Sequence, residues 1–280
     1  MAEKIKSRPI LCSIISTFII SILWGSATFF IRAQGLYKQE GEQVLLLISS
    51  VVNILFSVLA VALLSLINQM SFKQIFSANG LAKGSIALLP VASFFLFGLI
   101  LNMFSVEYTS FDSINMFPIT AFMQATSAFM QNVLFRGLLV TALFIKFSGS
   151  KKERVKTVFK ASALYLLIYI PVNILNTGGI ELMQLINTFV IGSGFCAAYL
   201  YSKNIMSLIL AQGSWQILNS AVDLFSAEAP SQFSPLAAIA LILILILITA
   251  FSALFAGRAE PFPGSFETID VYSKTTSKRS

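Results

Sequence analysis

Three groups of polar residues recur at helical spacing inside otherwise apolar stretches of this 280-residue chain. Between residues 117 and 146, Thr120, Gln124, Ser127 and Gln131 recur every three or four positions, with Asn132 and Arg136 four apart on an adjacent strip. Tyr165, Tyr169, Asn173 and Asn176 form a second stripe, and Gln212, Gln216, Asn219 and Asp223 a third. Residues three and four apart share a helix face. A polar group in hydrocarbon is costly unless partnered, so the three stripes should face one another. Each stripe alone is accounted for by interhelical hydrogen bonds, worth about 0.6 kcal/mol per pair on average. Three at once point to a common polar cavity.

Arg136 is the basic residue deep in an apolar stretch, ten positions before Lys146. At 1.5 Å per residue that is about 15 Å from the end of its helix. A charge at such depth is a functional-site hypothesis by default, against the plainer reading of a guanidinium that ties helices together. No acidic residue is expected at its depth, so carbonyls, Asn, Tyr, water or a bound anion must serve it. Other chemistries lack parts. The chain contains no histidine. The buried serines have no base beside them. A proton relay would need intramembrane carboxylates. No His, Cys or carboxylate cluster is available for zinc, so neither metal nor cofactor is expected. Cys12 and Cys196 read as small buried apolar residues, not as a disulfide.

The elements that position these residues follow from composition. Hydrophobic residues are 56% of the chain and charged ones 11%, against roughly 25% charged in a soluble domain. Mean hydropathy is +0.83. The pattern predicts an all-α polytopic membrane protein, a bundle of about eight transmembrane helices at 10–31, 44–68, 84–104, 117–146, 160–176, 182–201, 205–225 and 235–257. The run from Ile10 to Ile31 is too long for a signal peptide and is read as the first span. Pro118, near the start of the fourth span, marks a place where that helix could tilt or break. Ser202, Lys203 and Asn204 make a short link that predicts antiparallel neighbours for spans six and seven. The piece from Phe72 to Phe76, with Lys73 inside it, reads as interfacial. Residues 1–257 form the transmembrane domain, and 258–280 a flexible cytoplasmic tail.

Charge gives the orientation. With eight spans, one side carries Lys4, Lys6, Arg8, Lys73, Lys83, the basic cluster from Lys146 to Lys160, Lys203, Arg258, Lys274, Lys278 and Arg279. The other carries Arg32 and Lys38. Basic loops stay in the cytoplasm, so both termini are placed there, in a multi-pass plasma-membrane protein. The net charge of +7 is thus a topology signal and not a nucleic-acid surface. The abundance of Phe, Ile and Lys fits a bacterial source.

The segment Met130-Gln-Asn-Val-Leu-Phe-Arg-Gly137 resembles the first motif, Glu-Glu-x-x-x-Arg, of the CAAX-protease and bacteriocin-processing (CPBP, or Abi) family of intramembrane proteases. Phe135, Arg136 and Gly137 match its common Phe-Arg-Gly context. Tyr165-Leu-Leu-Ile-Tyr169 is similar to the second motif, Phe-x-x-x-His, and Trp215-Gln-Ile-Leu-Asn219 to the third, His-x-x-x-Asn. The motifs appear in order on spans four, five and seven, giving a CPBP-like core over about 115–225. Arg136 and Asn219 match. Gln131 and Asn132 stand at the two glutamates, and Tyr169 and Trp215 at the histidines.

In the family a glutamate is thought to activate water, with histidines and an asparagine in support. Amides orient water but do not take its proton near neutral pH. The resemblance therefore implies a pseudoprotease with no catalytic residue of its own, acting as scaffold or regulator of a membrane or cell-envelope partner. The alternatives are an endopeptidase of unusual residual activity, and a bacteriocin-immunity or lipid- or peptide-binding protein. The residues expected at the cavity or binding surface are Gln124, Gln131, Arg136, Tyr165, Tyr169, Asn173, Gln212, Trp215 and Asn219.

Overall fold

Hydrocarbon offers the backbone no partner, so long runs of Leu, Ile, Val and Phe must satisfy their own amides as helices. A computed structural model describes residues 9–33, 41–68, 70–105, 115–147, 149–177, 181–225 and 235–260, and every element in them is helical. The helices are α1 (Pro9–Ala33), α2 (Glu42–Asn68), α3 (Phe72–Ile75), α4 (Leu81–Ala87), α5 (Leu89–Ser105) and α6 (Phe117–Gln131). A π-helical segment (Asn132–Val140) continues α6 into α7 (Thr141–Lys146). Then come α8 (Lys151–Thr177), α9 (Leu182–Ser202), α10 (Ile205–Phe225) and α11 (Pro235–Arg258). The basic residues before Pro9, Lys38, the tail beyond Glu260, and the side chains of Arg32, Lys146, Asn176 and Asp223 lie outside this description.

Each expected span falls on a long helical segment. Six of them (α1, α2, α6 through α7, α8, α9 and α11) are long and apolar enough to cross a membrane. The α4–α5 pair would make a seventh, bent by 56° at its break. The span expected at 84–104 falls on this bent pair. Pro90 has no N–H and crowds the carbonyl four residues back, which is sufficient cause. The 21-residue α10 does not reach the same apolarity, because it carries Gln212, Gln216, Asn219 and Asp223.

Three further expectations are refined. The helix holding α6 does not break at Pro118, which occupies its first turn. There the missing N–H would have had no intrahelical partner in any case. The departure comes later, at the π segment. Next, α8 begins nine residues before the expected position 160. Ser150 and Glu153 form reciprocal side-chain-to-backbone hydrogen bonds at its start, at 3.0 and 3.2 Å. That capping box extends the helix with a charged first turn. Finally, α9 and α10 are consecutive but pack little on each other. The main partners of α9 are α11 and α8, and the main partner of α10 is α6.

The turn between α9 and α10 explains that divergence. Lys203 adopts the left-handed conformation at φ 55. The Asn204 amide donates to the carbonyls of Ser77 and Asn79 at 2.7 and 3.0 Å, tying the turn to the loop before α4. Gly80 in that loop has φ 83, and a Cβ there would strike the Ser202 carbonyl. The interfacial piece is anchored close by: Ser71 and Gln74 cap α3 reciprocally, Ile75 is buried, and Phe76 stacks on Phe129 at 5.7 Å while Phe72 stays exposed.

Gly80→Ala should therefore cost about 1–3 kcal/mol, from strain at positive φ and from collision with backbone. Gly213→Ala should be near neutral, because its Cβ would meet Ala128 at an ordinary 3.7 Å. Thermal unfolding in detergent checks both, with a lowered midpoint expected for the first variant only.

Candidate functional site

The site is built around the π segment, all nine residues of which are buried. A π turn inserts an extra residue and re-aims the side chains that follow it, and such segments are frequent at functional sites. Two side-chain amides serve its carbonyl neighbourhood. Asn132 donates to the Ala128 carbonyl at 2.8 Å and Asn68 to that of Leu138 at 3.2 Å. Gly137 permits close packing, since a Cβ there would lie 3.0 Å from Leu64 and 3.2 Å from Ile205.

At the segment's start, three amides interlock. Gln212 Nε2 donates to Gln131 Oε1 at 2.6 Å, and Asn132 Nδ2 donates to Gln212 Oε1 at 3.0 Å. Gln131 Nε2 donates onward to Ser127 Oγ at 3.0 Å. Further along the same seam, Gln124 donates to Ser220 Oγ at 2.7 Å. Residue numbers rise on α6 as they fall on α10, so these bonds join two antiparallel helices at two levels.

Arg136 is 3% exposed. Its guanidinium carbon lies 5.0 Å from the Tyr165 ring centroid and 5.1 Å from that of Phe195, between α8 and α9. Each such contact contributes about 0.5–2 kcal/mol, more when desolvated. The Tyr165 hydroxyl and the Cys196 thiol lie within electrostatic reach of the charge. Among the described residues no carboxylate pairs with it, and Nη1 has no hydrogen-bond partner.

The aromatic groups continue on both sides. Phe135 meets Tyr165 edge-on at 4.6 Å, and Tyr165 lies 5.9 Å from Tyr169. Tyr169 accepts a hydrogen bond from Gln184 at 3.5 Å. On the other side Phe195 lies 6.1 Å from Phe95, which stacks on Trp215 at 4.6 Å and 7°.

Gln131 and Tyr169 line one small, mainly apolar cleft with Ser21, Trp24, Phe135, Tyr165, Ile168 and Val172. Trp215 does not line it, and packs against α5 instead. Asn173 is buried further along α8, and Asn219 is half-buried on α10. The amide trio, the Arg136–Tyr165 contact and the cleft thus bring together Gln131, Asn132, Gln212, Arg136, Tyr165 and Tyr169. Gln124 belongs to a separate level of the α6–α10 seam.

Sequence reasoning passed over Trp24 and Asn53. Trp24 donates to Asn53 Oδ1 at 2.8 Å, and Asn53 donates to Thr126 Oγ1 at 3.3 Å. Asn53 is 2% exposed between buried Ser50 and Ser57 at helical spacing, and that polar strip in an apolar helix was the available signal. Chemically, the assembled groups can hold and orient polar ligands. Among the described residues no cluster of His, Cys, Asp or Glu could hold a metal ion.

Residues 113–218 match the family model described as Type II CAAX prenyl endopeptidase Rce1-like. No curated protein and no solved structure gives a match to the chain. The matched stretch contains Gln131, Asn132, Arg136, Tyr169, Gln212 and Trp215, and stops one residue before Asn219.

Gln212→Leu should lower stability by about 1–3 kcal/mol, because it leaves the Gln131 oxygen and one Asn132 donor unpaired in the interior. Trp24→Phe should cost about 1 kcal/mol through one lost hydrogen bond. Equilibrium unfolding in mixed micelles checks the order, with Gln212→Leu the less stable of the two.

Proposed function

We propose that this chain, a member of the Rce1-like, CPBP-type family through residues 113–218, is a non-catalytic relative that binds and organises another membrane or cell-envelope protein. The observation that carries this reading is the amide trio. Gln131 and Asn132 occupy the positions where the family motif has glutamates, and Gln212 engages both at hydrogen-bond distance. A carboxylate there could accept a proton from water, whereas an amide does not at neutral pH. Tyr169 and Trp215, at the histidine positions, supply no base in its place, and the chain has no histidine to recruit.

Packing and chemistry separate at such positions. Glutamine is near-isosteric with glutamate, so the helix seam is retained while general-base capacity is lost. A polar, mid-membrane framework without a base is suited to recognition. The competing reading, an endopeptidase of unusual residual activity, draws on the family match itself. It requires a proton acceptor that these residues do not provide. A bacteriocin-immunity or lipid- or peptide-binding role is a narrower form of the binding function. The distribution of Lys and Arg supports a multi-pass plasma-membrane protein of bacterial type with both termini in the cytoplasm.

The test is recovery of the partner. A photo-crosslinking residue is placed at exposed positions such as Leu55, Leu167 and Leu243, and native membranes are irradiated before purification. The expected result is one adduct of constant mass from one face of the bundle, and the same partner recovered near one-to-one without crosslinking. A chain recovered only as an uncrosslinked monomer from every position would overturn the proposal.

A further inference from the structure

The 27 residues of α8 extend about 40 Å, against a hydrocarbon core of about 30 Å. The surplus falls at its start, where the chain reads Lys-Lys-Glu-Arg-Val-Lys-Thr-Val-Phe-Lys from Lys151 to Lys160. Lys152, Lys156 and Lys160 are exposed there. They stand at i, i+4 and i+8, within about 80° of one helix face. Like charges four apart repel one another, so the stripe is unfavourable for a helix in isolation. Glu153, the acid of this stretch, lies off the stripe and accepts from the Ser150 N–H at 3.0 Å as part of the cap.

Packing fixes which way the stripe looks. Arg154 Nη2 donates to the Gly257 carbonyl at 3.2 Å, and the stem of Lys151 would meet a Cβ on Gly257 at 2.8 Å. Both residues therefore face the end of α11, and the lysine stripe lies on the opposite side of α8. Lys160 Nζ sits 5.5 Å from the centroid of the Phe147 ring. The same arc of the helix continues as Leu167 and Ile174, which are 62% and 48% exposed. A solvated face would stay polar along its length. This face passes from cationic to apolar between Lys160 and Leu167, over about 10 Å.

That order of chemistry matches one phospholipid lying along the helix, its phosphate against the ammonium groups and its acyl chains against Leu167 and Ile174. Basic clusters next to a membrane span attract anionic headgroups, and lysine stems reach along apolar surface to bring the charge to that level. A zwitterionic headgroup carries its own cation, which the stripe repels. A free phosphate would engage the lysines and leave the apolar half of the face unmatched.

We propose that the outer face of α8 is a binding site for an anionic phospholipid of the phosphatidylglycerol class, with Lys152, Lys156 and Lys160 holding the phosphate. The inner face of the same helix carries Tyr165 and Tyr169, so an anchored headgroup fixes the depth of both. The site is independent of whether the chain binds a protein partner or cleaves peptides.

The test is photolabelling of the full chain in phosphatidylcholine vesicles containing a trace of phosphatidylglycerol with a diazirine on its acyl chain, followed by peptide mapping. The expected result is labelling of the α8 segment around Leu167 and Ile174 at least ~3-fold above that by phosphatidylcholine carrying the same diazirine. The combined Lys152→Gln, Lys156→Gln and Lys160→Gln variant should bring the two lipids to parity. The corresponding arginine variant keeps the charge and should keep the preference. Equal labelling of wild-type α8 by the two lipids overturns the proposal even if the glutamine variant fails to fold. So does a preference on α8 no greater than that on the exposed face of α11, or one that persists in a folded glutamine variant. Loss of the preference on adding inorganic phosphate at equal ionic strength would identify a free-phosphate site and overturn the lipid. In native membranes, a photo-crosslinker at Leu167 should give a lipid adduct; a protein adduct in its place overturns the assignment.

Discussion

Gln212 donates a 2.6 Å hydrogen bond to Gln131 and accepts one of 3.0 Å from Asn132, and that pair of bonds ties α10 to the helix at the centre of the bundle. In water these amides would exchange partners freely. In hydrocarbon each must find its partner within the protein, and the cost of failing is the desolvation of a polar group. The remainder of the interior follows from that constraint. α10 carries too many polar residues to face lipid on every side, and it bonds to α6 and the π segment through Gln212 and Ser220. The position of α10 then sets that of Trp215, which stacks on Phe95 and through Phe195 closes one side of the Arg136 site.

The charge of Arg136 is the second consequence. Its rings supply electron-rich faces on two sides without supplying a counter-charge. An arginine held this way fixes geometry among α8, α9 and the π segment. The family match covers residues 113–218, the stretch that holds the amide trio and Arg136. Of the residues that align with the motif's glutamates and histidines, Gln131 is near-isosteric with glutamate, Asn132 is one methylene shorter, and Tyr169 and Trp215 are larger than histidine. Amides, tyrosine and tryptophan supply no general base near neutral pH, and on that difference rests the proposed binding role.

The sequence made much of this legible, for identifiable reasons. Apolar runs of about 20 residues have one solution in a bilayer, so helix positions could be read closely. Polar residues repeated at three and four positions also declare a shared face, which is why Gln131, Arg136, Tyr165 and Gln212 could be grouped before any geometry was known. The π segment was not legible, because periodicity arguments assume 3.6 residues per turn, and Phe135, Arg136 and Gly137 lie where that assumption fails. Trp24 and Asn53, which bond to each other at 2.8 Å, lie among small hydroxyl residues at helical spacing (Ser21 and Thr28; Ser50 and Ser57), a weaker polar signal than the amide and tyrosine stripes. The placement of Trp215 depends on Phe95, a tertiary partner that motif spacing does not specify. The divergence of α9 and α10 arose from Asn204 bonding to a distant loop, a contact more than 120 residues away in sequence.

The central claim is that the amides at 131 and 132 support the bundle without supporting hydrolysis. The most direct measurement is cleavage of a fluorescent prenylated peptide by the purified chain in proteoliposomes, compared with a Gln131→Ala variant. The account expects product no faster than in protein-free vesicles, for both proteins. Turnover by the wild-type chain that Gln131→Ala abolishes would contradict it.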